Sequence, residues 1–457
     1  MDITRTLARF IVQHRYTGIP GPIRHEAARS ILNWVGCASG GSRHETVERA
    51  LAALSPFSGP REATVLGRGD RLDIMLAALM NGITSHTFDF DDTHLRTVIH
   101  PSGPVASALL ALAEKQPEKQ PISGEDFLHA FILGVEAECR IGKAVYPSHY
   151  DVGWHITGTA GVFGAAAAAG KVLKLDEQQM TWALGIAATQ SSGLREMFGT
   201  MCKPFHPGNA ARNGLLAALL AQKNFTSSNQ GIEGPRGFAN VLATARNYDE
   251  MTSRLGETWE IAINSYKPFA CGIVIHPAID GCIQLRNEHH LKAEDIDRVS
   301  LTVHPLVLEL TGKKTPQIGL EGKFSVYHSS AVALIHGAAG EAHYSDQCVR
   351  DPRVIGLRDR VTATIDRTVH EDQAHISIQL KDGRTFETFI EHAVGSKDRP
   401  ISDTGLEDKF RGLTEGILSK AETDNLIRLC WDIGKLKDTG EVARASVPAG
   451  KATRSAF

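Results

Sequence analysis

The sequence lacks the features that mark exported or membrane-spanning proteins. Its seven cysteines are scattered and never form a CxxC pair, which favours a reduced, cytoplasmic chain. Polar residues interrupt the N-terminus too often for a signal-peptide core, and Asp2 and Glu26 argue against a mitochondrial presequence despite several arginines. The most apolar run, residues 158–173, is mostly alanine and glycine and too short to span a bilayer. No membrane partner is therefore expected.

An excess of charge of one sign is also absent. The chain carries 49 basic and 52 acidic residues, and this near balance excludes a strongly basic nucleic-acid binder. It has no GxGxxG after a strand, no Walker loop, no GxSxG and no HExxH. What it does have is 20 histidines, the side chain best suited to proton transfer near neutral pH.

The first 264 residues predict one helix after another. Apolar residues recur at helical spacing, and many of the segments are rich in alanine and glycine, which lets helices pack closely. The predicted helices cover residues 25–39, 72–85, 104–115, 124–146, 158–173, 176–191 and 209–223.

The pattern changes near residue 265. Strands are predicted over 298–304 and 361–365, a hairpin with an Asp-Gly turn over 375–390, and a helix over 324–339. The predicted fold class is mainly α, a large all-helical domain with an inserted smaller α+β lid domain. Its parts are a helical domain over 1–264 and 397–444, the α+β domain over 265–396, and a disordered tail over 445–457.

A dense group of ionisable residues runs from His86 to Arg96 and is followed by His100-Pro-Ser-Gly. A proline after His100 can open the next helix, so His100 would lie just before a helix N-terminus. The helix dipole there disfavours the imidazolium and keeps the ring neutral, as a general base requires. The alternative is a loop whose aspartates simply cap helices.

Three further motifs place a histidine or a lysine near a helix start or at the domain junction. His155 precedes a helix rich in glycine and alanine, Lys203 precedes a helix that Asn209 can cap, and Lys267 lies at the predicted junction of the domains. The alternatives are a capping histidine, a surface lysine and a plain linker. Together the motifs favour a pocket for a small polycarboxylate, because helix N-termini and lysines attract carboxylates.

A metal centre is the other interpretation of the acidic cluster. Asp89, Asp91 and Asp92 resemble the Mg²⁺-binding cluster of all-α terpenoid synthases, but the second metal motif of that family is absent from the sequence. We therefore expect no metal.

The motifs resemble those of the MmgE/PrpD family, in order and in spacing, from about residue 5 to 440. The stretches that carry the resemblance are ILNWVGCASGG from 31, NGITSHTFDFDDTHLRTVIHPSG from 81, GWHITGTAGVFGAAAAAGK from 153, KPFHPGNAARNG from 203, YKPFACG from 266 and EGKFSVYHSSAVAL from 321. The family comprises 2-methylcitrate dehydratases, cis-aconitate decarboxylases and an iminodisuccinate epimerase. The resemblance implies a helical domain with an α+β lid, a homodimer, and no metal or organic cofactor.

The resemblance also implies a set of site residues. By motif, the family's active-site aspartate, threonine, two histidines and two lysines fall on Asp89, Thr93, His100, His155, Lys203 and Lys267.

Two departures from the lyases of the family favour an epimerase. Tyr327 and His328 stand where the lyases carry a glutamine and a tyrosine, and Gly272 stands where the decarboxylases carry a histidine. Dehydration and decarboxylation each need a correctly aimed acid to finish the reaction. Epimerisation only removes a proton from one carbon and returns it, so it depends less on such an acid. The main hypothesis is therefore an epimerase of the iminodisuccinate type, and the alternative is a lyase of the 2-methylcitrate dehydratase or cis-aconitate decarboxylase type.

The predicted mechanism begins with removal of a proton α to a carboxylate. His100 is the predicted base, and Asp89 is predicted to orient it. His155 and Tyr146 are the candidates for returning the proton on the opposite face. Lys203, Lys267 and Arg96 are predicted to stabilise the developing negative charge, and Thr93, Tyr327 and His328 to bind substrate. A helical interaction scaffold without catalysis is the alternative from another class.

Overall fold

The computed structural model describes residues 2–115, 120–396 and 398–450, and helices dominate this part of the chain. Within the described ranges, twelve α-helices precede residue 264. They are α1 (Ile3–Gln13), α2 (Gly21–Gly41), α3 (Glu45–Leu54), α4 (Ile74–His86), α5 (Ser102–Lys115), α6 (Gly124–Val145), α7 (Ser148–Val152), α8 (Ile156–Val172), α9 (Glu177–Ala188), α10 (Cys202–Gln222), α11 (Phe238–Leu242) and α12 (Asp249–Thr252).

The remaining helices fall in two groups. Those of the middle segment are α13 (His276–Glu288), α14 (Pro305–Thr311), α15 (Gly319–Gly322), α16 (Val326–His336), α17 (Asp346–Val349) and α18 (Pro352–Arg358), and those of the final segment are α19 (Asp403–Thr414), α20 (Lys420–Trp431) and α21 (Gly440–Ala445). The strands are β1 (Ala63–Thr64), β2 (Arg71–Leu72), β3 (Asp92–His94), β4 (Asn264–Tyr266), β5 (Ile296–Val303), β6 (Val361–Ile365), β7 (Ala374–Leu380) and β8 (Thr385–Ile390).

The helical core is built on close backbone contacts at small residues. Helix α10 packs against α4, and a Cβ added to Gly82 would lie 2.4 Å from the Cα of Gly208. Helix α6 packs against α8 in the same way, because a Cβ on Gly134 would lie 2.7 Å from the Gly164 carbonyl oxygen. The alanine- and glycine-rich composition of these segments therefore has the close packing that the sequence predicts.

The middle segment folds around a four-stranded sheet in the order β6-β5-β7-β8, in which only β5 and β6 are parallel. Strand β7 alternates buried and half-buried residues along its whole length, so one face of the sheet is apolar. Helix α13 packs on β7 and β8 and against α16. The chain reverses between β7 and β8 at Gly383, whose φ of 89° suits glycine.

Two hydrophobic clusters divide the molecule. The larger cluster takes residues up to Tyr266 and again from Leu406, and the smaller takes residues between Phe269 and Ala393, with a few contributions from elsewhere. We call these the helical part and the smaller part. The domain boundaries at 264/265 and 396/397 stay predictions.

Two regions differ from the predicted pattern. The sequence predicts a helix that starts near Asn209, whereas α10 begins at Cys202. Pro204 lies in the first turn, where backbone N–H groups have no partner within the helix, so its missing N–H does not prevent this earlier start. In the predicted disordered tail, the Ser446 side chain is buried and accepts a hydrogen bond from the Gly67 N–H, and residues 451–457 lie outside the described residues. No helix within the described ranges is long and apolar enough to cross a membrane.

Candidate active site

A narrow buried chamber lies between the helical part and the smaller part. Its ionisable lining residues come from the helical part and from the junction, and they are Asp89, His100, Tyr150, His155, Lys203 and Lys267. The smaller part contributes lining residues without an ionisable side chain, which are Gly272, Ile273, Val274, Leu310, Thr311 and Phe324. Val98 and Phe198 complete the wall.

One short pair of strands brings the first motif and the junction together. Strand β3 pairs with β4 so that Asp92 faces Tyr266 and Thr93 faces Ser265. The residue after β4 is Lys267, which therefore lies beside the DFDD segment although almost 180 residues separate them in sequence.

His100 lines the chamber, and its Nε2 has no hydrogen-bond partner among the residues that the structure describes. Its Nδ1 lies 2.8 Å from the Asp92 carbonyl oxygen, and because a carbonyl only accepts, Nδ1 carries the hydrogen. The hydroxyl of Thr93 is 3.3 Å from the same nitrogen. Burial holds the pKa of His100 well below its ordinary value, so the ring is neutral and Nε2 keeps its lone pair. His100 therefore has the geometry and the protonation state of a general base.

Asp89 holds the two lysines of the chamber. Its Oδ1 accepts hydrogen bonds from Lys203 Nζ at 2.7 Å and from Lys267 Nζ at 2.8 Å, and its backbone carbonyl accepts a third from Lys267. Burial raises the pKa of the Asp89 carboxyl, but the two ammonium groups outweigh it and the net pKa is well below the ordinary value. The lining therefore carries two positive charges against one negative charge.

The sequence prediction that Asp89 orients His100 is corrected by this geometry. The carboxylate nearest His100 is Asp91, whose Oδ1 lies 3.4 Å from His100 Nδ1 and whose Oδ2 lies 2.8 Å from His86 Nδ1. The sequence motif contains Asp91 and His86 but gives them no role. The order of residues along an irregular turn does not indicate which aspartate side chain faces the chamber. The turn is irregular because Asp89 has a φ of 50°.

His155 belongs to a cluster of imidazoles. It is the residue before α8, as the sequence predicts, and its Nδ1 lies 2.8 Å from Nδ1 of His206. Its ring centroid is 5.9 Å from that of His86 and 6.4 Å from that of His100. Burial keeps the pKa of His155 well below its ordinary value and lowers that of His206 to about 4. His206 was missed because it lies within the first turns of α10, where the sequence predicts a loop.

Tyr150, not Tyr146, lines the chamber. Tyr146 is the C-cap residue that follows α6, and it is outside the lining. Tyr150 lies one helical turn further along, in α7, with the guanidinium of Arg195 4.1 Å above its ring. Burial raises the pKa of Tyr150, so it is a protonated hydroxyl that can donate.

Four more predicted residues are outside the chamber lining, and one of them, Thr93, contacts the lining residue His100. Arg96 is exposed on the turn after β3. Tyr327 and His328 begin α16 and are buried within the smaller part, where His328 Nε2 donates to the His343 carbonyl oxygen at 2.9 Å. Burial lowers the pKa of His328 to about 4. The two sequence departures at 327 and 328 therefore do not alter the chamber wall, whereas Gly272 does belong to it.

Four of these side chains also lie close enough together to hold a metal ion. The ligand atoms of His86, Asp89, Asp91 and His100 are within 4.8 Å of one another. A divalent cation there would face both ammonium groups bound to Asp89, so like charges would oppose it. Lys203 and Lys267 already occupy the Asp89 carboxylate, and the absence of a metal stays a prediction.

The arrangement defines a class of protein, a mainly helical protein with a chamber lined by buried histidines and lysines. Comparison with known families makes this specific. The MmgE/PrpD N-terminal domain model matches residues 5–251 and the C-terminal domain model matches residues 269–433. The chain belongs to the MmgE/PrpD family.

Similar proteins include enzymes of the lyase type. The chain is 28% identical to cis-aconitate decarboxylase of Aspergillus terreus, with 92% of this chain and 91% of that protein covered. It is 28% identical to cis-aconitate decarboxylase of Homo sapiens, with 96% and 93% covered. It is 22% identical to 2-methylcitrate dehydratase of Escherichia coli, with 83% and 84% covered.

Proposed function

We propose that this protein is a lyase that acts on a small polycarboxylate, of the cis-aconitate decarboxylase type. The full-length similarity to such decarboxylases supports the reaction type. The observation that carries the proposal is the pairing of a neutral His100, with a free Nε2, and two buried lysines that share one carboxylate. A proton-transfer group and fixed positive charge are what lyase chemistry next to a carboxylate requires.

The reaction would pass through a carbanion whose charge spreads onto a neighbouring carboxylate. In decarboxylation, the carbon–carbon bond breaks, its electron pair stays on the carbon, and CO₂ leaves. Lys203 and Lys267 would stabilise the resulting negative charge, which is often the largest contribution to catalysis. The carbon then takes a proton, and the hydroxyl of Tyr150 is our candidate donor because it lines the chamber and is protonated.

Dehydration of the 2-methylcitrate dehydratase type is the second candidate. One observation favours it: burial keeps His100 neutral, so its Nε2 can remove a proton from the carbon next to a carboxylate. The electron pair then forms the double bond as a β-hydroxyl leaves with a proton.

The epimerase hypothesis drawn from the sequence is not supported by the comparisons, in which the named relatives are decarboxylases and dehydratases. One of its two reasons is also weakened, because Tyr327 and His328 do not line the chamber. Gly272 does line the chamber, and a Cβ there would lie 3.0 Å from Thr311 Cγ2. A homodimer and a cytoplasmic location stay predictions of the sequence.

The test is incubation in D₂O with cis-aconitate, 2-methylcitrate, citrate and iminodisuccinate, followed by proton NMR. We expect CO₂ loss from a tricarboxylate with one deuterium entering the product. Tyr150→Phe should lower decarboxylation by about a hundredfold or more, because it removes the proposed proton donor, and His100→Ala should lower dehydration by as much, because it removes the proposed base. Tyr146→Phe is the matched control and should retain turnover.

The outcomes separate the candidates. Water loss without CO₂ would replace the decarboxylase by the dehydratase. Inversion of iminodisuccinate with deuterium entry and no lyase product would restore the epimerase hypothesis. Full turnover in the His100→Ala variant would remove His100 from the mechanism.

A further inference from the structure

A second cavity opens outward from the chamber. This outer cleft is lined by residues 152–153, 194–196 and 198–199 of the helical part and by residues 308–310, 312–313 and 324 of the smaller part. Phe198, Leu310 and Phe324 line both cavities, and the rings of Phe198 and Phe324 stack with their centroids 5.7 Å apart. The outer cleft therefore adjoins the chamber, and these three apolar side chains lie where the two cavities meet.

Arg195 is the charged group that links the cleft to the chamber. Its Nη1 donates to the Tyr150 carbonyl oxygen at 2.8 Å, and its guanidinium lies 4.1 Å above the ring of Tyr150. Tyr150 in turn lines the chamber. These contacts hold the guanidinium in one place, so its remaining N–H groups point in fixed directions.

The carboxylate that Arg195 binds in this structure is its own chain's Glu309. Arg195 Nη2 donates to Glu309 Oε1 at 2.5 Å, across the cleft from the helical part to α14 of the smaller part. The side chain of Glu309 is 58% exposed, whereas that of Arg195 is 12% exposed. A carboxylate so exposed has little else to hold it, so a competing carboxylate can displace it at small cost.

The guanidinium is only partly satisfied by this contact. Arg195 Nε is buried and has no hydrogen-bond partner among the residues that the structure describes. Nε and Nη2 lie on one edge of the guanidinium and can together bind the two oxygens of one carboxylate. Glu309 uses only Nη2, so the arrangement leaves half of a bidentate carboxylate site unused.

We propose that Arg195 is a carboxylate-binding subsite in the outer cleft, and that a carboxylate of the substrate takes the place of Glu309 there. Another carboxylate of the same molecule would bind at Lys203 and Lys267 in the chamber. The subsite would select tricarboxylates over shorter dicarboxylates, which bind in the chamber alone. This inference rests on the proposed function, because it assumes that the chamber takes a polycarboxylate.

A purely mechanical role for the same ion pair makes a different prediction. If Arg195 and Glu309 only hold the two parts of the molecule together, removing either partner has the same effect. If Arg195 is a subsite and Glu309 its competitor, the two removals have opposite effects on binding.

The test measures binding by calorimetry, with tricarballylate and succinate as the probes, so it needs no turnover. For Arg195→Met we expect tricarballylate affinity to fall about tenfold, the loss typical of one charged hydrogen-bond pair, and succinate affinity to stay within about twofold. For Glu309→Gln we expect tricarballylate to bind more tightly. Lys313→Met is the control, because Lys313 lines the same cleft but pairs with Glu321 within the smaller part.

Glu309→Gln keeps the test decisive even if Arg195→Met fails to fold, because Glu309 is largely exposed. Equal or weaker tricarballylate binding by Glu309→Gln would overturn the subsite, and so would equal losses for both probes in Arg195→Met. Unchanged binding in both variants overturns the subsite but leaves the proposed function intact. Absence of tricarballylate binding to the wild-type chain overturns both.

Discussion

Asp89 is the residue on which the charge of the chamber depends. One of its carboxylate oxygens accepts from both buried lysines, so both ammonium groups share a single counter-charge. Its backbone lies in the left-handed region, with a φ of 50°, which asparagine tolerates nearly as well as aspartate. Asp89→Asn therefore removes the charge without adding backbone strain.

We predict that Asp89→Asn lowers the free energy of unfolding at pH 7 by about 3 kcal/mol, because it leaves buried charges unpaired. The pKa of Asp89 is well below its ordinary value in the fold, so its contribution is complete above the ordinary aspartate range and is lost only as the pH falls through the folded value. Urea unfolding at pH 7 measures the loss.

The same variant should respond more strongly to a polycarboxylate. A bound carboxylate would restore the missing counter-charge, so tricarballylate should raise the Tm of Asp89→Asn more than that of the wild-type chain. An equal or smaller rise would show that the lysines do not bind the ligand's carboxylate.

The residues of the chamber could be predicted from sequence only where a motif fixes them. Asp89, His100, His155, Lys203 and Lys267 do line one chamber, as the motifs predict. Their pairing could not be predicted, because hydrogen bonds such as Lys267 to Asp89 join residues far apart in sequence. The choice of Tyr146 over Tyr150 failed for the same reason, since the turn between α6 and α7 decides which ring faces inward.

Among the elements, α4 and α10 pack together and both lead into the site. Helix α4 leads into His86 and Asp89, and α10 carries Lys203 in its first turn. The two helices meet at Gly82 and Gly208, where a Cβ on Gly82 would lie 2.4 Å from backbone. Backbone cannot move aside as a flexible side chain can, so the two helices would have to separate.

We predict that Gly82→Ala destabilises the protein by about 1–3 kcal/mol, as overpacking of a close contact does, and lowers turnover by moving Lys203 away from Asp89. Thermal unfolding and steady-state kinetics measure the two effects. The matched control is Gly412→Ala in α19, where a Cβ would meet nothing within 4 Å. That exposed helical position should gain about 0.5–1 kcal/mol. A neutral Gly82→Ala would mean that the helices do not touch there.

At this scale, periodicity predicted most of the fold. The long helices and the strands β6 and β8 agree with the sequence pattern because local spacing determines them. The pair β3–β4 was not predicted, since each strand has only three residues and its partner lies far along the chain. The early start of α10 was not predicted, because Pro204 and Pro207 near its beginning are typical of a loop.

The whole molecule carries many buried neutral histidines, and this has a consequence for acid stability. Burial lowers the pKa values of His149, His206 and His328 to about 4 in the fold, against 6.5 ordinarily. Between pH 6.5 and 4 the unfolded chain therefore binds protons that the folded chain does not, and stability falls as the pH falls. Each such group contributes up to about 1.4 kcal/mol per pH unit.

We predict that the urea midpoint of unfolding falls steeply from pH 7 to pH 5. In His328→Gln the free energy of unfolding should fall less steeply with pH, by the contribution of about one proton. Glutamine can still donate to the His343 carbonyl. His290→Asn is the control, because His290 is exposed and asparagine tolerates its φ of 51°. Turnover of His328→Gln at pH 7 should be retained, because His328 does not line the chamber. An unchanged slope would mean that His328 titrates alike in both states.

The division of the chamber wall has a consequence for how such a protein diversifies. Every ionisable lining group comes from the helical part or the junction, and the smaller part adds only uncharged surface. Substitutions at Leu310, Thr311 or Gly272 can therefore change the shape of the space around a substrate while the ionisable groups of the chamber keep their positions. A lineage can change what it accepts in small steps without first losing the ability to react, and the smaller part is where a laboratory library for new substrates should begin.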